Sequence, residues 1–122
     1  MEALIVEIDS YGGYPVASEE ISNALKGMKK PVIALIRGSA ASGAYLIATG
    51  ADKIYASEMS DIGSIGVSMS YLDYSEQNKM EGITYQQLSS GKFKDSGDPD
   101  KELTAEEREL YMRDVSLSLI HI

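Results

Sequence analysis

The stretch Val32-Ile33-Ala34-Leu35-Ile36-Arg37-Gly38-Ser39-Ala40-Ala41-Ser42-Gly43-Ala44-Tyr45 decides the fold. Its first five residues form a continuous apolar run, the pattern of a strand buried on both faces of a parallel sheet. Past Gly38 the side chains shrink to Ser, Ala and Gly, and a small-residue helix is expected over about 42–50. Such residues let backbone and ligand approach closely. Ser42 then stands at or near the head of a helix, where the dipole favours a developing alkoxide. Two readings fit it: a helix N-cap, the commoner role of a serine so placed, or a nucleophile. Ser39 is the internal rival and lies nearer the strand end.

Outward from this stretch, strand and helix alternate. Residues 3–8 are a short apolar run, followed by the turn Asp9-Ser10-Tyr11-Gly12-Gly13-Tyr14-Pro15, whose paired glycines can take positive φ. Ile21, Ala24, Leu25 and Met28 fall at i, i+3, i+4, i+7 and predict an amphipathic helix closed by Gly27 and Lys29-Lys30-Pro31. Lys53–Ala56 reads as a third strand, and Gly63–Val67 opens another extended segment. A polar helix is expected around 73–81, a strand near Thr84–Leu88 and a polar loop over 89–101. Thr104 and Glu107 fit the capping box T-x-x-E of a last helix carrying Leu110 and Tyr111. The alternation predicts an α/β domain with a largely parallel sheet and right-handed crossovers.

Composition narrows the chemistry. At 122 residues the chain holds at most one domain, and 43% hydrophobic with 25% charged residues suits a soluble globular one. A formal charge of −8 argues against nucleic acid and anionic lipid, both of which select basic faces. There is no cysteine, and the one histidine, His121, is next to last. A thiol nucleophile and a His/Cys metal site are therefore ruled out, and imidazole is a poor candidate for activating a serine. What remains is serine with a lysine or carboxylate base. No apolar run approaches the roughly 18 residues that span a bilayer, and residue 1 opens no signal peptide. Both ends read as cut: the expectation is a partial domain over 1–115 and a divergent tail over 116–122, from a longer protein.

The glycine-containing turns Gly12-Gly13, Gly38–Gly43 and Gly63–Gly66 follow strands, and in an open α/β sheet such turns converge on the ligand crevice. The Gly12-Gly13 turn either presents N–H groups to an oxyanion or merely turns the chain. A lysine base must lose several pKa units by burial before it can serve, because at the free value of about 10.4 only about one in two thousand is neutral at pH 7. Lys92 and Lys94 flank Phe93, and position alone promotes neither. Ser89-x-x-Lys92 matches a penicillin-recognising string without its companion motifs. Asp98, Asp100 and Glu102 miss the spacing of a calcium loop and read as loop-solvating groups; no metal or cofactor is expected.

In this order, Ile8-Asp9-Ser10-Tyr11-Gly12-Gly13, Ala40-Ala41-Ser42-Gly43-Ala44-Tyr45, Gly63-Ser64-Ile65-Gly66-Val67 and Ser90-Gly91-Lys92-Phe93-Lys94-Asp95 resemble the signal peptide peptidase A family of serine–lysine peptidases. The resemblance covers about residues 3–115. It implies a Clp/crotonase-like fold of repeated ββα units, incomplete at the N-terminus. It also implies Ser42 as nucleophile, Lys94 as general base and Ser64 as the serine that holds the lysine. The oxyanion donors would be N–H groups of the Gly12-Gly13 turn and of Gly43. Tyr11 and Ala44 stand where relatives usually carry Pro and often Gly. The implied protein cleaves hydrophobic peptides such as signal-peptide remnants. It works as a homo-oligomeric ring outside the cytoplasm, held to the membrane by an upstream anchor. Alternatives are a crotonase-type acyl-CoA enzyme, a phage capsid-processing peptidase of the same family, and an inactive oligomerising fragment.

Overall fold

The computed structural model describes residues 2–119. The described residues divide into two compact units: 2–66 with Ser118 and Leu119, and Val67–Leu117.

The first unit is a four-stranded sheet with two helices. Its elements are β1 (Leu4–Ser10), α1 (Pro15–Lys26), β2 (Val32–Ala41), α2 (Gly43–Ala48), β3 (Lys53–Ala56) and β4 (Asp61–Gly63). All pairings are parallel, as the unbroken apolar runs predicted. The long β2 is central: β1 lies along one side from Leu4↔Val32 to Ser10↔Ala40. On the other side β3 pairs with Ile33–Ile36, and β4 pairs further on with Ser39–Ala41. Ile8, Ala34, Ile36, Ala40, Ala44 and Ala48 form the core, with Val6, Ile47 and Ala51 packed around it.

The β1–β2 register slips between Ile8 and Ser10. There the Ser39 N–H donates to Asp9 Oδ1 (2.9 Å), so a carboxylate supplies the acceptor that the ladder lacks. Gly38 leaves room for this carboxylate: a Cβ there would stand 2.8 Å from that oxygen and the Asp9 side chain would have to shift. The slip carries β2 past β1's end and delivers Ser42 beyond the sheet.

Helix α1 opens on Pro15, whose missing N–H costs nothing in a first turn. Its buried residues are Ser18, Ser22 and Leu25, whereas Ile21, Ala24 and Met28 are exposed. The expected apolar face is thus corrected by about a third of a turn, with only Leu25 retained. The cause is close packing on α2: a Cβ on Gly50 would lie 2.6 Å from the Ser22 carbonyl oxygen, and one on Gly43 would strike Ser18 Oγ. Serine and glycine let the two helices approach where isoleucine and methionine would hold them apart.

The second unit carries α3 (Ser75–Met80) and all but the last two residues of α4 (Ala105–Leu119). The capping box forms as read: Thr104 N–H donates to Glu107 Oε2 (2.8 Å) and Glu107 N–H to Thr104 Oγ1 (3.2 Å). Two expectations differ. Thr84–Leu88 is not a strand; Tyr85 and Gln87, two residues apart, both spend their side chains on Asp95. Helix α4 runs on through Leu119, four residues past the expected break at 116, with Ser116 Oγ bonding the Met112 carbonyl (2.8 Å). The rest of the expected tail, with His121, lies outside the described residues. No helix among the described residues is long and apolar enough to cross a membrane.

Candidate active site

Ser42 sits between β2 and α2 with φ 52° and ψ −124°, a backbone conformation that L side chains rarely adopt. Such strain costs about 1–3 kcal/mol and persists only where surroundings impose it. Here both backbone groups of Ser42 are engaged. Its N–H donates to the Gly63 carbonyl (2.7 Å), and its carbonyl accepts from Tyr45 (2.9 Å) and Leu46 (3.1 Å). Its hydroxyl makes no capping bond to α2. The two readings of Ser42 therefore separate: it occupies the N-cap position, yet the side-chain bond that defines a serine cap is missing.

The Gly12-Gly13 turn packs against this elbow. Gly12 has φ +105°, and a Cβ there would lie 2.9 Å from the Ala41 oxygen and 3.0 Å from both Gly43 N and Ser42 Cβ. Only glycine allows that approach. The Gly12 N–H is committed to Ser10 Oγ (3.1 Å). The Gly13 nitrogen lies 3.4 Å from where a Cβ on Gly43 would stand. Gly43 is the first residue of α2, so its N–H has no acceptor within the helix. The backbone nitrogen of Gly13 thus lies close to Gly43, the residue that follows Ser42. A mainly apolar cleft of about 470 Å³ adjoins them, lined by Val6, Ile8, Gly13, Ala17, Ile21 and Ala44 among others.

Ser64 follows Gly63, the residue whose carbonyl holds the Ser42 N–H. It is exposed and also has positive φ, 50°. The structure therefore gathers Gly12, Gly13, Ser42, Gly43 and the Gly63-Ser64 turn within the first unit.

Lys94 belongs to the second unit. It is exposed in a run of turns, with its N–H on the Gly91 carbonyl (3.1 Å). Lys92 is engaged differently: its Nζ pairs with Glu106 Oε2 (2.6 Å) and lies 5.4 Å from the centre of the Phe93 ring. Directly after Lys94, Asp95 turns its carboxylate inward, with its side chain 13% exposed. It accepts from Tyr85 Oη (3.0 Å) and Gln87 Nε2 (2.8 Å), and Lys101 Nζ stands 3.8 Å away. Lys101 also pairs with Glu107, the buried capping-box residue. Desolvation, and then the bond to Asp95, push the Tyr85 phenol up to about 12. The hydrogen bond between Lys101 and Glu107 raises the lysine and, from the other side, lowers the carboxyl.

Sequence reasoning missed this network, and also Ser10 and Asp9 as supports of the turn and the β2 bend. The spacing of Tyr85 and Gln87 carried part of the signal, since residues two apart on an extended chain share a side.

Residues 24–118 match the family described as peptidase family S49. Over 111 residues, 89% of this chain and 36% of the relative, it is 37% identical to "Putative protease MJ0651" of Methanocaldococcus jannaschii. It is 35% identical to "Putative signal peptide peptidase SppA" of Enterococcus faecium over 113 residues, 90% of this chain and 33% of that one. It is also 34% identical to "Serine protease SPPA, chloroplastic" of Arabidopsis thaliana over 113 residues, 90% of this chain and 17% of the relative. The chain spans about a third of the length of the first two relatives. It belongs to peptidase family S49, and its parallel α/β sheet with flanking helices accords with the Clp/crotonase-like fold expected of it.

Proposed function

From membership of peptidase family S49 we propose that this chain carries the nucleophile half and the base of a serine–lysine endopeptidase that cleaves apolar peptides, signal-peptide remnants among them. The observation that carries the reading is Ser42: strained, uncapped at its hydroxyl, and followed by Gly43, to which the Gly13 nitrogen lies close.

In the proposed reaction Lys94, as a neutral amine, takes the Ser42 hydroxyl proton while Oγ attacks the scissile carbonyl carbon. The oxyanion is held by the Gly13 and Gly43 N–H groups, with Gly12 shaping the turn that aims them. Collapse breaks the C–N bond, and the proton on Lys94 goes to the leaving amine. Lys94 then draws a proton from water, which attacks the acyl ester; as the ester C–O bond breaks, Lys94 returns that proton to Ser42 Oγ, freeing the acid and restoring the neutral amine. Ser64 accepts a hydrogen bond from the lysine and orients it. The apolar cleft beside Gly13 suits a hydrophobic substrate side chain.

A lysine that serves as base must be desolvated, and Lys94 on its own unit is exposed. In the proposed working state, a full-length, membrane-associated homo-oligomer on the extracytoplasmic side with peptide bound, that desolvation is supplied.

The test is kinetic. In the full-length protein Ser42→Ala and Lys94→Ala should each abolish hydrolysis of an apolar peptide, and the double variant should be scarcely worse than either. Activity retained in Lys94→Ala and lost in Lys92→Ala would move the base to Lys92. Activity retained in Ser42→Ala would end the proposal.

A further inference from the structure

We infer that Asp95 is the positioning residue for Lys94, anchoring the turn that carries the lysine to the capping box of α4; the inference rests on the reading of Lys94 as base. Neighbouring residues here point opposite ways in burial: Lys94 is exposed, while Asp95 buries a carboxylate among polar partners. Asp95 Oδ2 accepts from Tyr85 Oη (3.0 Å), and Oδ1 accepts from Gln87 Nε2 (2.8 Å) with Lys101 Nζ at 3.8 Å. Lys101 passes the connection to Glu107 Oε1, and the other oxygen of Glu107 accepts the Thr104 N–H (2.8 Å). A continuous chain of hydrogen bonds and ion pairs therefore joins the residue after Lys94 to the first turn of a 15-residue helix.

The chemistry explains why a carboxylate stands there. The loop over 89–101 is polar and its turns are held by only a few local backbone bonds, Lys94 N–H to Gly91, Ser96 to Phe93 and Asp98 to Asp95 among them. Such a segment drifts unless a side chain ties it down. An ionised carboxylate can accept several hydrogen bonds at once, which a neutral side chain of that size does not match. The charged and titratable groups around it are Tyr85, Asp98, Lys101 and Glu107, and Lys101 and Glu107 balance each other. Lys94 has no bond to this group; Asp95 acts on it through the backbone alone.

Loosening the anchor should then reduce the rate of the chemical step without changing how substrate binds, because a base displaced by about 1 Å can cost about a hundredfold. The experiment uses the full-length protein and an internally quenched apolar peptide, with kcat, KM and melting temperature measured for Asp95→Ala, Asp95→Asn, Tyr85→Phe and Lys94→Ala. We expect Asp95→Ala to lower kcat by about tenfold or more with KM within about twofold. Asp95→Asn, which keeps one acceptor for Tyr85 but loses the second acceptor and the charge facing Lys101, should restore only part of that loss, and Tyr85→Phe should show a smaller fall in kcat alone. Should Asp95→Ala not fold, the Asn and Phe variants discriminate in its place. Wild-type kcat in Asp95→Ala, equal losses in the Ala and Asn variants, or a loss that tracks melting temperature or KM would overturn the anchor. Activity in Lys94→Ala would instead strike the parent reading, leaving the two failures distinct.

Discussion

The two units solve the same problem by opposite means. The unit over residues 2–66 is organised by apolar burial: Val32, Ala34, Ile36 and Ala40 of β2 are at most 2% exposed and sit between strands and the small-residue helix α2. Val67–Leu117 is organised by polar connection, from Asp95 through Lys101 to Glu107, itself only 2% exposed. An apolar core tolerates approximate side chains as long as volume is kept. A buried polar network does not, because removing one partner strands the others. The first unit should therefore yield more to steric insults than to pH, and the second should do the reverse.

The largest effect expected is on the network. Glu107→Ala removes both the ion-pair partner of Lys101 and half of the capping box, and should cost the second unit about 3 kcal/mol. Urea denaturation followed by a probe in that unit would measure it. A cost below about 1 kcal/mol would put the unit's stability elsewhere.

Next comes Gly50→Ala in the first unit. The added Cβ meets the Ser22 carbonyl oxygen at 2.6 Å and its Cα at 3.0 Å, backbone atoms that cannot swing away. About 1–3 kcal/mol should be lost. Gly13→Ala has open space around it and should leave the melting temperature nearly unchanged.

The effect of pH sharpens the contrast. The Glu107 carboxyl is held below its ordinary value. Its stabilisation is then complete above about pH 4.3 and fades as pH falls through the depressed value. Lys101 and Tyr85 are raised, so their contributions are present below about pH 10 and fade as pH climbs through the folded values. Amide exchange across pH should show the second unit loosening at both extremes while β1 and β2 stay protected. Smallest of all, Lys92→Ala breaks an exposed pair with Glu106 and an exposed contact with the Phe93 ring, and should change stability by less than about 0.5 kcal/mol.

The same contrast governs how much could be read from residues alone. The strands expected at 3–8 and 32–36 were legible because apolar runs have a good use in a parallel sheet, and 53–56 was read as a third; the extension of β1 to Ser10 and of β2 through Ala41, past the polar and small residues, was not. The capping box at Thr104 was legible because its donors and acceptors are local in sequence. The inward face of α1 was not, since Ser18 and Ser22 were preferred for their size and hydropathy ignores size. Nor was the Asp95 network, whose directly bonded partners are up to ten residues apart and obey no period. At the site, Ser42 and the Gly12-Gly13 turn stood out in the sequence by motif. What motif did not reveal was the division of labour within the turn: Gly12 spends its N–H on Ser10, leaving the Gly13 nitrogen close to Gly43, the residue after Ser42.

The central claim is that Ser42 is a nucleophile activated by Lys94. The most direct measurement is covalent trapping of the full-length protein with a fluorophosphonate, followed by mass-spectrometric mapping of the modified residue. The expected result is one modified serine, Ser42, labelled faster as pH rises, with labelling lost in Ser42→Ala and slowed by orders of magnitude in Lys94→Ala. Label on Ser39 or Ser64 instead, or Lys94→Ala labelled at the wild-type rate, would contradict it.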